Sequence, residues 1–197
     1  MVDSPLDPDG ALAQAVEAYR ADSDLQALLK RLEALCATVP PEGLANAAEP
    51  YRQIPEVAGP IYERIVEARP NDARALVILA NAYWLSGRGA EAVGELASRA
   101  IGADPTNRGA WHLWALAEPS LRNRTTRWQQ VSDRFPADEL ARVNLADNAA
   151  SLASTEHDDQ ALELAIRNYE MLLATAQHPE QREALSGALG VLRSWSL

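Results

Sequence analysis

The sequence predicts an all-α fold, an α-solenoid of antiparallel helix pairs with an N-terminal helical extension. Three observations carry that expectation. A proline-anchored spacing recurs: Ala58, Tyr62, Ile65 and Pro70 stand four, three and five residues apart, and Arg124, Trp128, Val131 and Pro136 repeat it. Ala165, Tyr169, Leu172 and Gln177 keep it with Gln in the proline's place, while Ala92, Leu96, Ala100 and Pro105 follow it with one residue inserted. A period in the thirties that ends in proline marks stacked helix pairs. The chain is also rich in alanine, with a single Phe and few Val/Ile runs, which argues against a sheet. Its 197 residues are enough to bury a sizeable core.

The elements follow in order. Residues 1–10 are turn-forming and expected to be loose. A first helix is expected near 10–20, with Leu12, Val16 and Tyr19 on one stripe. Ser23 is expected to cap the second helix, with Gln26 completing a capping box. That helix carries the amphipathic run Leu25, Leu28, Leu29, Leu32, Leu35, Cys36 and stops at Pro40-Pro41. The lone Cys36 excludes an internal disulfide and reads as a buried, inert thiol. Short helices or turns are expected over 42–60, which holds Gly43, Pro50, Pro55, Gly59 and Pro60.

From Pro60 the repeats take over. Helix 61–68 ends before Pro70, because proline disfavours helical geometry in the preceding residue. Asn71-Asp72 caps a helix over 73–86, which Gly87 closes. Helices follow at 90–102, at 108–118 after Thr106-Asn107, and at 121–134 behind Pro119-Ser120. A helix over 139–153, a polar loop Ser154 to Asp159, a helix over 160–175 and a closing helix over 180–194 complete nine or ten helices. The organisation expected is an extension or cap over 1–55, a repeat array over 56–178 and a capping helix over 179–197.

Over 73–105 the pattern becomes specific. Leu76-x2-Leu79-Ala80-x2-Tyr83, then Gly87-Arg88, then Ala92-x3-Leu96-x3-Ala100 and Asp104-Pro105 resembles a tetratricopeptide (TPR) repeat. Trp111-x2-Trp114-Ala115 and Leu145-Ala146 start the next two units, with Arg142 where a large apolar residue is expected. The units run 35, 31 and 41 residues, so the third is short and the fourth long. The resemblance implies a right-handed superhelix and a non-catalytic, protein-binding adaptor that holds a protein or peptide in a concave groove lined by first helices. Mapped onto this chain, it nominates Arg74, Asn81, Trp84, His112, Asn144 and Asp147, with Asn81 and Asp147 at one repeat position. An Asn amide there would bond a peptide backbone through donor and acceptor together. The alternative for each is a solvated polar face. One TPR subclass grips C-terminal carboxylates with Lys, Arg and Asn; Asn81 matches, but Val77 and Ile78 replace the cations.

Charge sorts the remaining functions. The formal net charge of −10 makes nucleic acid and anionic membranes unsuitable partners. Residues 1–70 carry 6 basic and 12 acidic side chains, 71–136 carry 8 and 6, and 137–197 carry 4 and 10. The basic middle holds Arg122, Arg124, Arg127 and Arg134, a patch that would receive an acidic helix or phosphate, or else pair with acidic neighbours. His112, His157 and His178 are scattered, and Glu156-His157-Asp158-Asp159 has no second histidine at helical spacing, so no metal and no cofactor are expected. No phosphate loop, Gly-x-Ser-x-Gly or Cys-His arrangement supports an enzyme. The acidic N-terminus lacks an apolar signal core, so a cytoplasmic protein is expected. The second reading is a self-associating homo-oligomer built through the Leu-rich helix 24–38 and the face Leu185, Leu189, Leu192, Trp195.

Overall fold

The computed structural model describes residues 7–195, so most of the turn expected over 1–10 lies outside the described residues. Among the described residues the chain forms eleven α-helices, one 3-10 turn and no strand. It divides into two compact units, residues 1–113 and 114–197.

In the first unit, α1 (Pro8–Asp22) packs on α2 (Leu25–Thr38) across a two-residue turn. The expected Ser23 cap is displaced by one residue. Ser23 instead closes α1 in the left-handed region at φ 57°, and Asp24 caps α2 by accepting from Ala27 N–H at 2.9 Å. A two-residue turn needs a left-handed closing residue, which leaves the carboxylate, a stronger acceptor, as the N-cap. Helices α3 (Pro41–Ala48) and α4 (Pro55–Ala68) follow, separated by the 3-10 turn Glu49–Tyr51. Helix α4 begins six residues before the expected Ile61 and carries Pro60 in its interior. Pro55 presets its first turn, and Val57, Ala58, Ile61, Tyr62 and Ile65 are buried on both sides of Pro60. That burial outweighs the one backbone hydrogen bond proline removes. Both α2 and α3 pack on α4, so the N-terminal helices share one core with it.

Asp72 caps α5 (Ala73–Leu85) through Ala75 N–H at 3.0 Å, as the sequence predicts. Gly87 and Gly89, at φ 69° and 97°, make the turn into α6 (Ala90–Ala103). Asn107 Oδ1 then accepts from Ala110 N–H at 3.2 Å and opens α7 (Arg108–Leu116). A Cβ on Gly109 would lie 3.4 Å from Val77 Cγ1, so α7 approaches α5 closely there. The boundary between the units falls inside α7.

The second unit holds α8 (Leu121–Arg134), α9 (Glu139–Glu156), α10 (Asp159–Thr175) and α11 (Pro179–Arg193). Helices α8 and α10 both pack on α9, and α11 packs on α10. The loop expected over 154–159 shrinks to His157-Asp158. His157 takes the left-handed position at φ 54°, and Asp158 caps α10 by accepting from Ala161 N–H at 3.0 Å. The extra length of the fourth unit therefore lies in helices of 18 and 17 residues. The short third unit has α7, of 9 residues, as its compact member. The repeated spacing marks the buried stripe of α4, α8 and α10: Ala58, Ile65, Trp128, Val131, Ala165 and Leu172 all lie in the core.

Candidate functional site

The first-helix candidates divide between the units. On α5, Asn81 is half-buried and its amide has no hydrogen-bond partner among the described residues. Trp84 stands three residues on, 39% exposed, so a polar and an aromatic group share one surface of the helix. His112 is half-buried on α7 in the same unit.

Arg74, at the start of α5, is exposed and donates to Glu49 Oε1 at 2.6 Å; Glu49 also pairs with Arg52. Arg74, Asn46, Glu49, Tyr62, Arg69 and Asp72 line a cavity of about 560 Å³. Arg69 Nη1 lies 3.6 Å from Asp72 Oδ2, while its Nε is buried without a partner. The linear sequence nominates Arg74 but not Glu49 or Arg69. They come from separate elements, and no periodicity in the chain joins them.

One turn of the first unit is held by a second small network. Tyr83 donates to Glu63 at 2.8 Å, and Arg88 sits 5.0 Å from the Tyr83 ring centroid and 3.6 Å from the same carboxylate. Burial, then the Glu63 bond, pushes the Tyr83 hydroxyl up to about 12. Cys36 is half-buried with its sulfur 4.0 Å from the Pro60 carbonyl, and burial raises its thiol pKa. A raised pKa makes a poorer nucleophile.

In the second unit, Asn144 and Asp147 are already engaged. Asn144 donates back to Leu140 O at 2.8 Å, and Asp147 accepts from Tyr169 on α10. Burial and that bond raise the Tyr169 hydroxyl well above its ordinary value.

Three arginines of α8 are engaged within the second unit. Arg122 bonds Glu156 Oε2 at 2.5 Å and Asp158 Oδ2 at 2.9 Å. Asp158 is held below the usual carboxylate range, first by the Ala161 N–H it caps and then by Arg122. Two members of the acidic run around His157 are thus spent on one guanidinium. Among the described residues no group of three or more His, Cys, Asp or Glu converges as metal ligands would. Arg124 donates to Asn148 Oδ1 at 2.8 Å and to Glu118 O at 3.0 Å. Arg127 donates to Trp114 O at 2.7 Å, lies 4.4 Å over the Trp114 ring, and pairs with the nearly buried Glu118 at 2.7 Å. Of the two readings of this patch, internal pairing describes Arg122 and Arg127. Arg134 lies 5.8 Å from the Phe135 ring. No described helix is long and apolar enough to cross a membrane.

No family profile matches the sequence, and no curated protein matches it. Solved structures do resemble it. A structure of MamA protein superimposes with a TM-score of 0.59 at 15% identity, covering 88% of this chain and 99% of that one. A second MamA structure gives 0.58 at 17%, covering 78% and 91%. A thermophilic TPR protein of Thermus thermophilus gives 0.53 at 18%, covering 92% and 98%. At these identities the likeness is one of fold, and the chain has the TPR-type all-α solenoid fold.

Proposed function

We propose that this chain is a non-catalytic protein-interaction module that holds a protein or extended peptide against the first helices of its pairs. The observation that carries the reading is the α5 surface, where the unbonded amide of Asn81 lies beside the exposed indole of Trp84. The amide offers a donor and an acceptor to a peptide backbone, and the indole offers apolar area at small entropic cost. Arg74 and His112 extend that surface within the first unit. Asn144 and Asp147 form its counterpart in the second, where Asp147 also holds Tyr169.

The test is affinity capture from lysate of the source organism with wild type and Asn81→Ala/Trp84→Ala proteins of equal helicity. A partner retained by wild type and lost by the variant supports the reading. Equal retention by both removes α5 from the interface.

A second reading, self-association, has its own observation. The α1–α2 face leaves open a groove of about 680 Å³ lined by Ala11, Ala15, Ala18 and Leu35. A sedimentation mass that stays monomeric over a hundredfold concentration range would remove this reading.

A further inference from the structure

The first unit holds a buried phenol that its own packing leaves unused. Tyr62 belongs to the buried stripe of α4 and is only 3% exposed, yet its hydroxyl has no hydrogen-bond partner among the described residues. Tyr169 holds the matching repeat position on α10 and donates to Asp147. Tyr62 has no such acceptor. Its side chain lines the cavity of about 560 Å³ between α3, α4 and α5, and the hydroxyl opens on that space, whereas Arg69 Nε is sealed off from it. The volume is that of a ligand pocket rather than a packing fault. Buried polar groups are nearly always satisfied, so a phenol left open here indicates a partner from outside the chain.

A second unused group stands in the same lining. Glu49 takes both Arg52 and Arg74 on Oε1, and no described donor reaches its Oε2. The charges around these two groups are balanced. Arg74 Nη2 lies 2.6 Å from Glu49, and Arg69 Nη1 lies 3.6 Å from Asp72, whose Oδ1 is spent on the Ala75 N–H. An entering anion would meet two carboxylates and an entering cation two guanidiniums, each already committed to its opposite. Burial first, and then the Glu49 charge, push the Tyr62 phenol pKa up, so the hydroxyl keeps its proton and donates at neutral pH. An apolar occupant would leave both Tyr62 and Glu49 Oε2 unpaired. What fits is a neutral group with an acceptor and a donor on separate atoms. Among side chains that never ionise, the carboxamide of Asn and Gln has both.

Position ties the cavity to the α5 surface. Arg74 and Ala75 line it from the first turn of α5, and Arg74, Ile78 and Asn81 follow at helical spacing along one face. From Asn81 to Arg74 is about 10 Å along the helix axis. Three residues of extended peptide span that distance.

We propose that this cavity is the specificity pocket of the α5 surface and takes the carboxamide of a Gln or Asn in the bound peptide, its C=O accepting from Tyr62 and its NH2 donating to Glu49. It rests on the reading of α5 as a peptide surface and names the side chain that surface selects.

The experiment uses the full chain labelled with ¹⁵N and pools of acetylated, amidated hexapeptides. One central position is fixed as Gln, Glu, Lys or Met, and the others are randomised. The Gln pool is expected to shift the amides of residues 45–49 and 69–75, with half-saturation at about tenfold lower concentration than the other three pools. Tyr62→Phe keeps the buried ring and is expected to weaken Gln-pool binding by about three- to tenfold. Glu49→Gln, at a side chain 40% exposed, leaves the guanidiniums in excess and is expected to move the preference from the Gln pool to the Glu pool. A purely structural role for Glu49 would not reverse a preference. Equal half-saturation by the four pools, a Gln preference that survives Tyr62→Phe intact, or one unchanged by Glu49→Gln would each overturn the pocket. Where all pools then shift Asn81 and the Trp84 indole alike, the α5 surface stands without it. No shift from any pool also overturns the pocket, and leaves the α5 surface to the capture experiment.

Discussion

Arg127 performs three tasks at once: it bonds the Trp114 carbonyl, covers the Trp114 ring and neutralises the nearly buried Glu118. Only a planar guanidinium meets all three, because an ammonium cannot stack while donating in two directions. Arg127→Lys is therefore expected to lower stability by about 1–2 kcal/mol in urea unfolding, despite keeping the charge. Tyr83 supplies a pH dependence of known sign. Its folded pKa stands at about 12 against a reference of 10.0, so the folded state holds the proton more tightly. The resulting stability is fully present below pH 10 and declines as pH rises from there toward about 12, because the unfolded phenol ionises first. Tyr83→Phe should flatten that decline when unfolding free energies at pH 9 and pH 11 are compared. At this scale the sequence shows only residue types. Repeat position nominates Arg74, Asn81 and Trp84, but Glu49, Glu63 and Glu118, the partners of Arg74, Tyr83 and Arg127, depend on which helices become neighbours.

Helix boundaries were legible wherever a cap and a breaker agree, as at Asp72 before α5 and Ser120 before α8. Two places read differently in the structure for one reason. At Pro60 and over 154–159, local signals indicated a break or a loop, while burial of the neighbouring apolar positions favoured continuing the helix. Propensity terms are about 1 kcal/mol per residue, and a fully buried large side chain contributes more than that. Helix α11 follows the same logic, since Leu192 joins Ala149 and Ala165 in a buried cluster with Tyr169 and Trp195 against it. Leu192→Ala is expected to cost about 2–4 kcal/mol and to lower the midpoint of a far-UV thermal melt. Asp72→Ala, which removes the α5 cap without touching the core, should cost only about 1 kcal/mol in the same assay.

Over the whole molecule, composition sets the solution behaviour. With a net charge of −10 and a pI near 4.8, solubility should pass through a minimum near pH 4.8, measurable by turbidity across an acid titration. The sequence by itself determined the fold class and the identity of the buried stripes. The four-three-five spacing of Ala58, Trp128 and their counterparts is a property of the helix, and the apolar face must be covered wherever the helix lies. Only the tertiary structure decided which polar groups are spent and which are left over. It paired Arg122 and Arg127 with carboxylates, closed Asp147 against Tyr169, and left the Asn81 amide without such a partner among the described residues. A hydrogen bond or ion pair forms over about 3 Å between residues that can be dozens of positions apart, as Arg122 and Glu156 are. No linear spacing encodes that distance until the helices are packed.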